Sequence, residues 1–304
     1  MKKYFITTIL IATICAVFIS CKDNNHKEWK AQHVILIGLD GWCSKSMEEA
    51  DMPNVRQMMG NGRYTLKMRS VLPSSSAVNW ASMFMGASPE LHGYTTWGSR
   101  TPELPSRELN QNGIFPTIFQ LLRDASPESE IGVLYEWDGI KYLIDTLSVN
   151  YYAVAPDFKT HPLALRDMAV EYIKEKKPTL AAFIFDNPDA AGHAEDWRSP
   201  AYYDKLKELD NYIGDIINAM KESGIYENSI IILTSDHGGI DKGHGGKTML
   251  EMEVPFIIYG KNVKPSGAFH ESMMMFDVAS TIAHIFNLQQ PQVWIGRPMT
   301  QVFE

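Results

Sequence analysis

The chain has 304 residues, 45% of them apolar, and a formal charge of −8. That is enough for one large domain or two ordinary ones with a substantial core. An acidic balance excludes a nucleic-acid duplex as the expected partner, because gripping a phosphate backbone needs clustered Lys and Arg.

In chain order, the first element is a targeting segment: Lys2-Lys3 supplies positive charge, and Phe5 to Phe18 an apolar stretch too short to span a bilayer. The following Phe18-Ile19-Ser20-Cys21 resembles the lipobox of bacterial lipoproteins, where the chain is cut before the cysteine and that cysteine is lipidated. The resemblance implies a signal peptide over residues 1–20 and an exported lipoprotein held at a membrane through Cys21. Residues 21–30, containing KDNNHKEWK, read as a polar tether. Lys22 after the cysteine resembles an outer-membrane sorting signal, so the domain is expected to face the periplasm or cell surface. Cleavage removes Lys2 and Lys3, moving the charge from −8 to −10. It also removes Cys15, and with Cys21 lipidated, Cys43 has no disulfide partner and reads as a small buried residue.

Residues 31–304 show no repeat, low-complexity tract or long linker, and read as one domain. Apolar β-branched runs resembling buried parallel strands occur at His33 to Leu39, Ile131 to Tyr135, Thr179 to Phe185, Ser229 to Thr234 and Val254 to Tyr259. Amphipathic helical patterns occupy Trp80 to Met85, Pro116 to Arg123, Pro162 to Lys174, Tyr202 to Met220 and Phe276 to Phe286. Such alternation predicts an α/β fold, a three-layer α/β/α sandwich around a mainly parallel sheet, with ligands bound beyond the carboxyl ends of the strands.

Polar clusters follow three of those strand ends. Asp40 follows the first strand, DNPDAAGH follows Phe185, and TSDHGGIDKGHGGK follows Leu233. Asp189 and His193 are four apart, so one helical turn puts both on one face, able to share a metal. Asp40, Asp189, Asp236, His193, His237 and His244 form an oxygen and nitrogen set without thiolate, suited to two hard-to-borderline divalent cations. Three carboxylates against two such ions leave a net positive centre, which suits an anionic ester. The glycines of the third cluster permit a sharp turn. In LPSSSAVNWASM, three serines precede a helix expected to begin near Asn79, so a hydroxyl there can serve as a nucleophile near the positive end of a helix dipole.

The ordered set VILIGLDG, LPSSSAVNWASMFMGASPELHG, NPDAAGH, TSDHGG and GHGGK, followed by DVASTIAHIFNL, resembles the alkaline phosphatase superfamily, nearest its type I phosphodiesterase/nucleotide pyrophosphatase family. The resemblance implies a hydrolase of phosphate esters with two zinc ions and a Ser nucleophile. One metal would be held by Asp40, Ser76, Asp236 and His237, the other by Asp189, His193 and His244. Ser76 is the implied nucleophile, standing three residues before Asn79, with Ser75 as the alternative; Ser76, Asn79 and Lys247 are the candidate catalytic residues.

Two departures stand out. HGYTTWG puts Thr96 and Trp97 where the family has a phosphate-binding Asn, and the compact GHGGK resembles sulfatases, whose Lys follows an HG pair. Ser76-Ala77-Val78-Asn79-Trp80 lacks the Pro and Arg that sulfatase maturation requires. Competing readings are therefore a monoester, phosphonate or sulfate hydrolase on the same scaffold, or a glycan- or lipid-binding lipoprotein without turnover. Trp80, Trp97, Trp137 and Trp197 are candidate pocket walls or core. Glu195, Asp196 and Asp241 are candidate partners for metal-bound histidines, and His92 reads as a structural hydrogen-bonding residue.

Overall fold

The computed structural model describes residues 28–304. The expected signal peptide, the lipidated Cys21 and most of the tether lie outside these residues. Among the described residues, no helix is long and apolar enough to cross a membrane.

The elements run β1 (His33–Leu39), α1 (Pro53–Asn61), β2 (Arg63–Arg69), α2 (Ser76–Met85), α3 (Pro89–His92), α4 (Ile118–Ala125), β3 (Ile131–Tyr135), β4 (Tyr151–Val154), α5 (Ala164–Lys176), β5 (Leu180–Phe185), α6 (Asp189–Glu195), α7 (Pro200–Glu222), β6 (Ser229–Thr234), α8 (Met249–Met252), β7 (Glu253–Gly260), β8 (Gly267–Ala268) and α9 (Asp277–Ile285). All eight strands form one sheet in the order β4-β3-β5-β1-β6-β7-β2-β8. The sheet is mainly parallel, and helices cover both of its faces.

Alternation along the central strands explains the layering. In β1, Val34 and Leu36 point into one core with residues of α2, α4 and α9. Ile35, Ile37 and Leu39 point into the other, against α1, α5 and α7. Because both faces are buried, these strands read as unbroken apolar runs.

The structure departs from the sequence reading in four of these elements. Val254–Tyr259 was read as a parallel strand, yet β7 pairs antiparallel with both β6 and β2. An apolar run reports burial on two faces and not chain direction. β2 and β4 have no buried β-branched run to betray them: β2 alternates charged and apolar residues near one edge, and β4 is a four-residue edge strand with exposed tyrosines. Finally, α2 starts at Ser76 after an extended Ser75, three residues before the expected start.

Candidate active site

β5, β1 and β6 lie side by side at the centre of the sheet, and their carboxyl ends bring Asp40, Asp189, Asp236 and His237 together. Gly41 turns the chain after Asp40 at φ +72°; a Cβ there would come within 2.8 Å of Asp189 Cα. This close approach lets Asp189 N donate to the Asp40 carbonyl at 2.9 Å. α6 begins at Asp189, so Asp189 and His193 share a face as the four-residue spacing predicts, with Oδ2 3.4 Å from Nε2.

Two groupings of ligand atoms result. Asp189, His193 and His244 form the outer one, and Asp40, Asp189 and His237 the inner. Asp236 Oδ2 reaches the inner one through His237 Nε2, at 3.3 Å, and Asp40 Oδ1 lies 3.4 Å from the same nitrogen. Asp189 therefore stands between both groupings, whereas the sequence reading placed it in one. Asp40, Asp236 and His237 are buried, Asp189 is half-buried and His193 is exposed, so the site opens on the outer side.

The tautomers follow from the hydrogen bonds. His237 Nδ1 lies 2.8 Å from the Gly238 carbonyl, His193 Nδ1 2.8 Å from that of Lys242, and His244 Nδ1 3.0 Å from that of Ser74. A carbonyl only accepts, so each Nδ1 carries the proton and each Nε2 turns a lone pair inward. The backbone thus does what Glu195, Asp196 and Asp241 were expected to do with carboxylates. Asp241 and Lys242 act through their carbonyls, which accept from Trp197 N at 2.7 Å and from His193 respectively.

The carboxylates are arranged the same way. Asp40 Oδ2 accepts from Trp80 Nε1 at 3.2 Å, and Asp236 Oδ1 from Gly41 N at 3.2 Å. Their other oxygens, Asp40 Oδ1 and Asp236 Oδ2, and with them Asp189 Oδ1, are buried with no hydrogen-bond partner. Buried oxygens are seldom left unpaired. Burial, then the neighbouring carboxylates, push Asp40 and Asp236 well above the usual carboxylate range; burial also raises Asp189, against the pull of His244 and His193. Burial and His244 hold His237 well below its usual value. Unpaired carboxylate oxygens facing imidazole lone pairs form a donor set with nothing cationic between them, which fits divalent metal ions.

Ser76 is the first residue of α2, and its Oγ lies 3.2 Å from His237 Nε2. Asn79 does not face this space. Its Oδ1 accepts from Val71 N at 2.7 Å, and its Nδ2 donates to the carbonyls of Val71, Pro73 and Ser75 at 3.1–3.2 Å. Its amide holds the backbone of the serine loop in place. Lys247 is exposed on a loop that Ser74 Oγ ties by donating to the Gly246 carbonyl at 2.7 Å.

Glu251, missed from the sequence, and Trp197, read there as wall or core, hold these loops. The Glu251 carboxylate accepts from Gly246 N at 2.7 Å and from Thr248 N at 3.1 Å, fixing the segment between His244 and α8. Trp197 is buried, donates from Nε1 to the Gly41 carbonyl at 2.9 Å, and lies where a Cβ on Gly192 or Gly239 would strike its ring. In the glycine-rich stretch, only Gly245 and Asp241 take positive φ. Of the remaining glycines, Gly239 admits Trp197. His92 is structural as expected: its Nδ1 accepts from Tyr94 N, leaving Nε2 to donate to Ser82 Oγ at 2.9 Å.

Comparison with known structures defines the class first. The chain superposes on murine ectonucleotide pyrophosphatase/phosphodiesterase 5, solved as an inactive form with AMP, with a TM-score of 0.73 at 17% identity, covering 90% of this chain and 100% of that one. It superposes on a 2-O GAG sulfatase with a TM-score of 0.73 at 14% identity, covering 90% and 74%. Both belong to the alkaline phosphatase superfamily, and this chain has that fold. The sequence pattern of the type I phosphodiesterase / nucleotide pyrophosphatase family matches residues 34–250, and the chain belongs to that family. Among curated relatives, the bis(5′-adenosyl)-triphosphatase enpp4 of Mus musculus is 24% identical over 245 residues, 76% of this chain. The match spans about half of that relative's length, 52%.

Proposed function

We propose that the protein hydrolyses phosphate esters, diesters in preference to monoesters, with Ser76 as nucleophile. The observation that carries this reading is Ser76 Oγ at the start of α2, 3.2 Å from His237 Nε2 and beside the unpaired oxygens of Asp40, Asp189 and Asp236. Asp40, Asp236, His237 and Ser76 would hold one divalent ion and Asp189, His193 and His244 a second, zinc being suited to this donor set. When bound, the pair would lower the hydroxyl pKa and neutralise charge on the ester's nonbridging oxygens.

This chain's residues supply the rest. Asn79 fixes the loop before Ser76, the positive end of the α2 dipole faces the anionic substrate, and Lys247 offers a charge to a nonbridging oxygen. Ser76 Oγ forms a bond to phosphorus as the ester oxygen departs, giving a phosphoseryl enzyme. A water molecule repeats the displacement, so configuration at phosphorus is retained.

The test is metal analysis together with hydrolysis of bis(p-nitrophenyl) phosphate. Two zinc per chain are expected, with activity abolished in Ser76→Ala; a fully active metal-free protein would overturn the reading. Matched monoester, diester and sulfate substrates rank the preference.

A further inference from the structure

Asp40 and Asp236 each turn one unpaired oxygen to the inner grouping, because the other oxygen of each is taken. For Asp236 the donor is a main-chain group, Gly41 N; for Asp40 it is a side chain, the Trp80 indole, at 3.2 Å. Among the described residues, this is the one hydrogen bond that the Asp40 carboxylate accepts.

The chain builds a seat for that ring. Gly38 and Asp40 are one strand period apart, so they face the same side of the sheet. The indole lies over Gly38, where a Cβ would come within 2.4 Å of its Cη2. Trp80 is fully buried and stacked on Phe84, with ring centroids 6.0 Å apart. It stands four residues after Ser76 on α2, so the two side chains leave the same helix face. A tryptophan that fills a core needs an acceptor for its N–H, and a carbonyl serves. Trp197 and Trp294 donate to the carbonyls of Gly41 and Pro116 at 2.9 Å and 3.0 Å. Trp80 donates to a candidate metal ligand instead.

We propose that Trp80 sets the metal preference of the inner site, confining Asp40 to one donor oxygen and so favouring a small four-coordinate ion such as zinc over manganese. This rests on Asp40, Ser76, Asp236 and His237 forming one ligand set, and it names what selects the ion. Asp40 Oδ1, Asp236 Oδ2, His237 Nε2 and Ser76 Oγ are single donor atoms, and their number is the one a tetrahedral zinc takes. With Oδ2 released, Asp40 could offer both oxygens, moving the set toward the oxygen-rich octahedral shells that suit manganese. Trp80 acts through Asp40 and is a positioning residue; hydrogen-bonded partners of this kind typically alter metal affinity by about 10- to 100-fold.

The experiment measures zinc and manganese affinities by chelator competition on the protein stripped of metal and reloaded with one ion at a time. Parent and Trp80→Phe are compared, the variant keeping a ring and losing the N–H. Both carry His193→Ala, which removes an exposed candidate ligand of the outer grouping so that the inner site is read apart from it. Zinc should bind about tenfold more weakly in Trp80→Phe while manganese binds as well or better, so that the ratio of the two affinities falls by about tenfold or more. Phe84→Leu loosens the same packing without touching the hydrogen bond; it should lower the unfolding midpoint and leave the ratio at the parent's value. Gly38→Ala pushes the indole from its seat, should lower the ratio as Trp80→Phe does, and replaces that variant should it not fold. A ratio unmoved by Trp80→Phe, or by Gly38→Ala in its place, overturns the assignment, as does an equal fall in Phe84→Leu. A parent that binds neither ion overturns the ligand set and the proposal with it. A parent that binds zinc with a ratio indifferent to Trp80 leaves the ligand set standing and overturns the proposal alone.

Discussion

Glu136 and Asp186 follow neighbouring strands, β3 and β5, and meet at the edge of the site, where Glu136 Oε2 accepts from Asp186 N at 2.7 Å. Burial, opposed by that hydrogen bond and reinforced by the Asp186 carboxylate, pushes Glu136 up to about 7 from 4.5. A carboxyl raised on folding favours its protonated form. The stability this contributes is present below pH 4.5 and is lost as pH rises through about 7. Glu136→Gln keeps the acceptor and cannot ionise, so its melting temperature relative to the parent should be higher at pH 8 than at pH 5. Equal offsets at both pH values would show that Glu136 does not titrate in this window. At this scale the clustering of the candidate ligands was legible, since Asp and His after neighbouring strand ends converge. The role of Asn79 was not, because its four partners lie in backbone geometry that no spacing reveals.

Elements meet at the site through Trp197, between α6 and α7. Its ring packs edge-on to His193 at 5.2 Å and to His244 at 6.0 Å, its Nε1 holds the Gly41 carbonyl, and its backbone N holds the Asp241 carbonyl. One side chain thus braces the loops after β1 and β6 and the helix after β5. Trp197→Ala should cost about 3–5 kcal/mol and lower metal content together with stability, as read by denaturant unfolding and metal analysis. A variant that loses stability but keeps full metal content would show that the ligands are held without the brace. From sequence, Trp197 was one of four tryptophans with the same two readings, wall or core. Only their neighbours separate them: Trp80 and Trp197 are buried beside candidate ligands, while Trp97 stands in solvent.

At the scale of the whole molecule, the described chain enters through Lys30, whose N–H donates to the Ile285 carbonyl, and reaches the amino end of β1 at His33. The site lies at the carboxyl end of the same strand, roughly 23 Å away along seven residues. A tether ending at residue 30 would therefore hold the domain at the amino ends of the central strands, opposite the site, leaving the site directed away from an anchoring membrane. If Cys21 is the anchor, Cys21→Ser should move the protein to the soluble fraction with ester hydrolysis per molecule unchanged; retention in the membrane fraction would contradict it.

Taken by itself, the sequence determined the five central strands, five of the helices that cover them, the cluster of Asp and His side chains after the strand ends and the family. Each of these is carried by local apolar periodicity or by residue chemistry at a strand end. Tertiary structure alone decided the direction of β7, the place of Asp189 between two groupings, the protonated nitrogen of each histidine and which carboxylate oxygens face one another. Most of these depend on groups brought together from distant parts of the chain, as Ser76 is brought to His237 across 161 residues. Hydrogen-bond satisfaction in a buried site is settled only by whatever the fold places alongside.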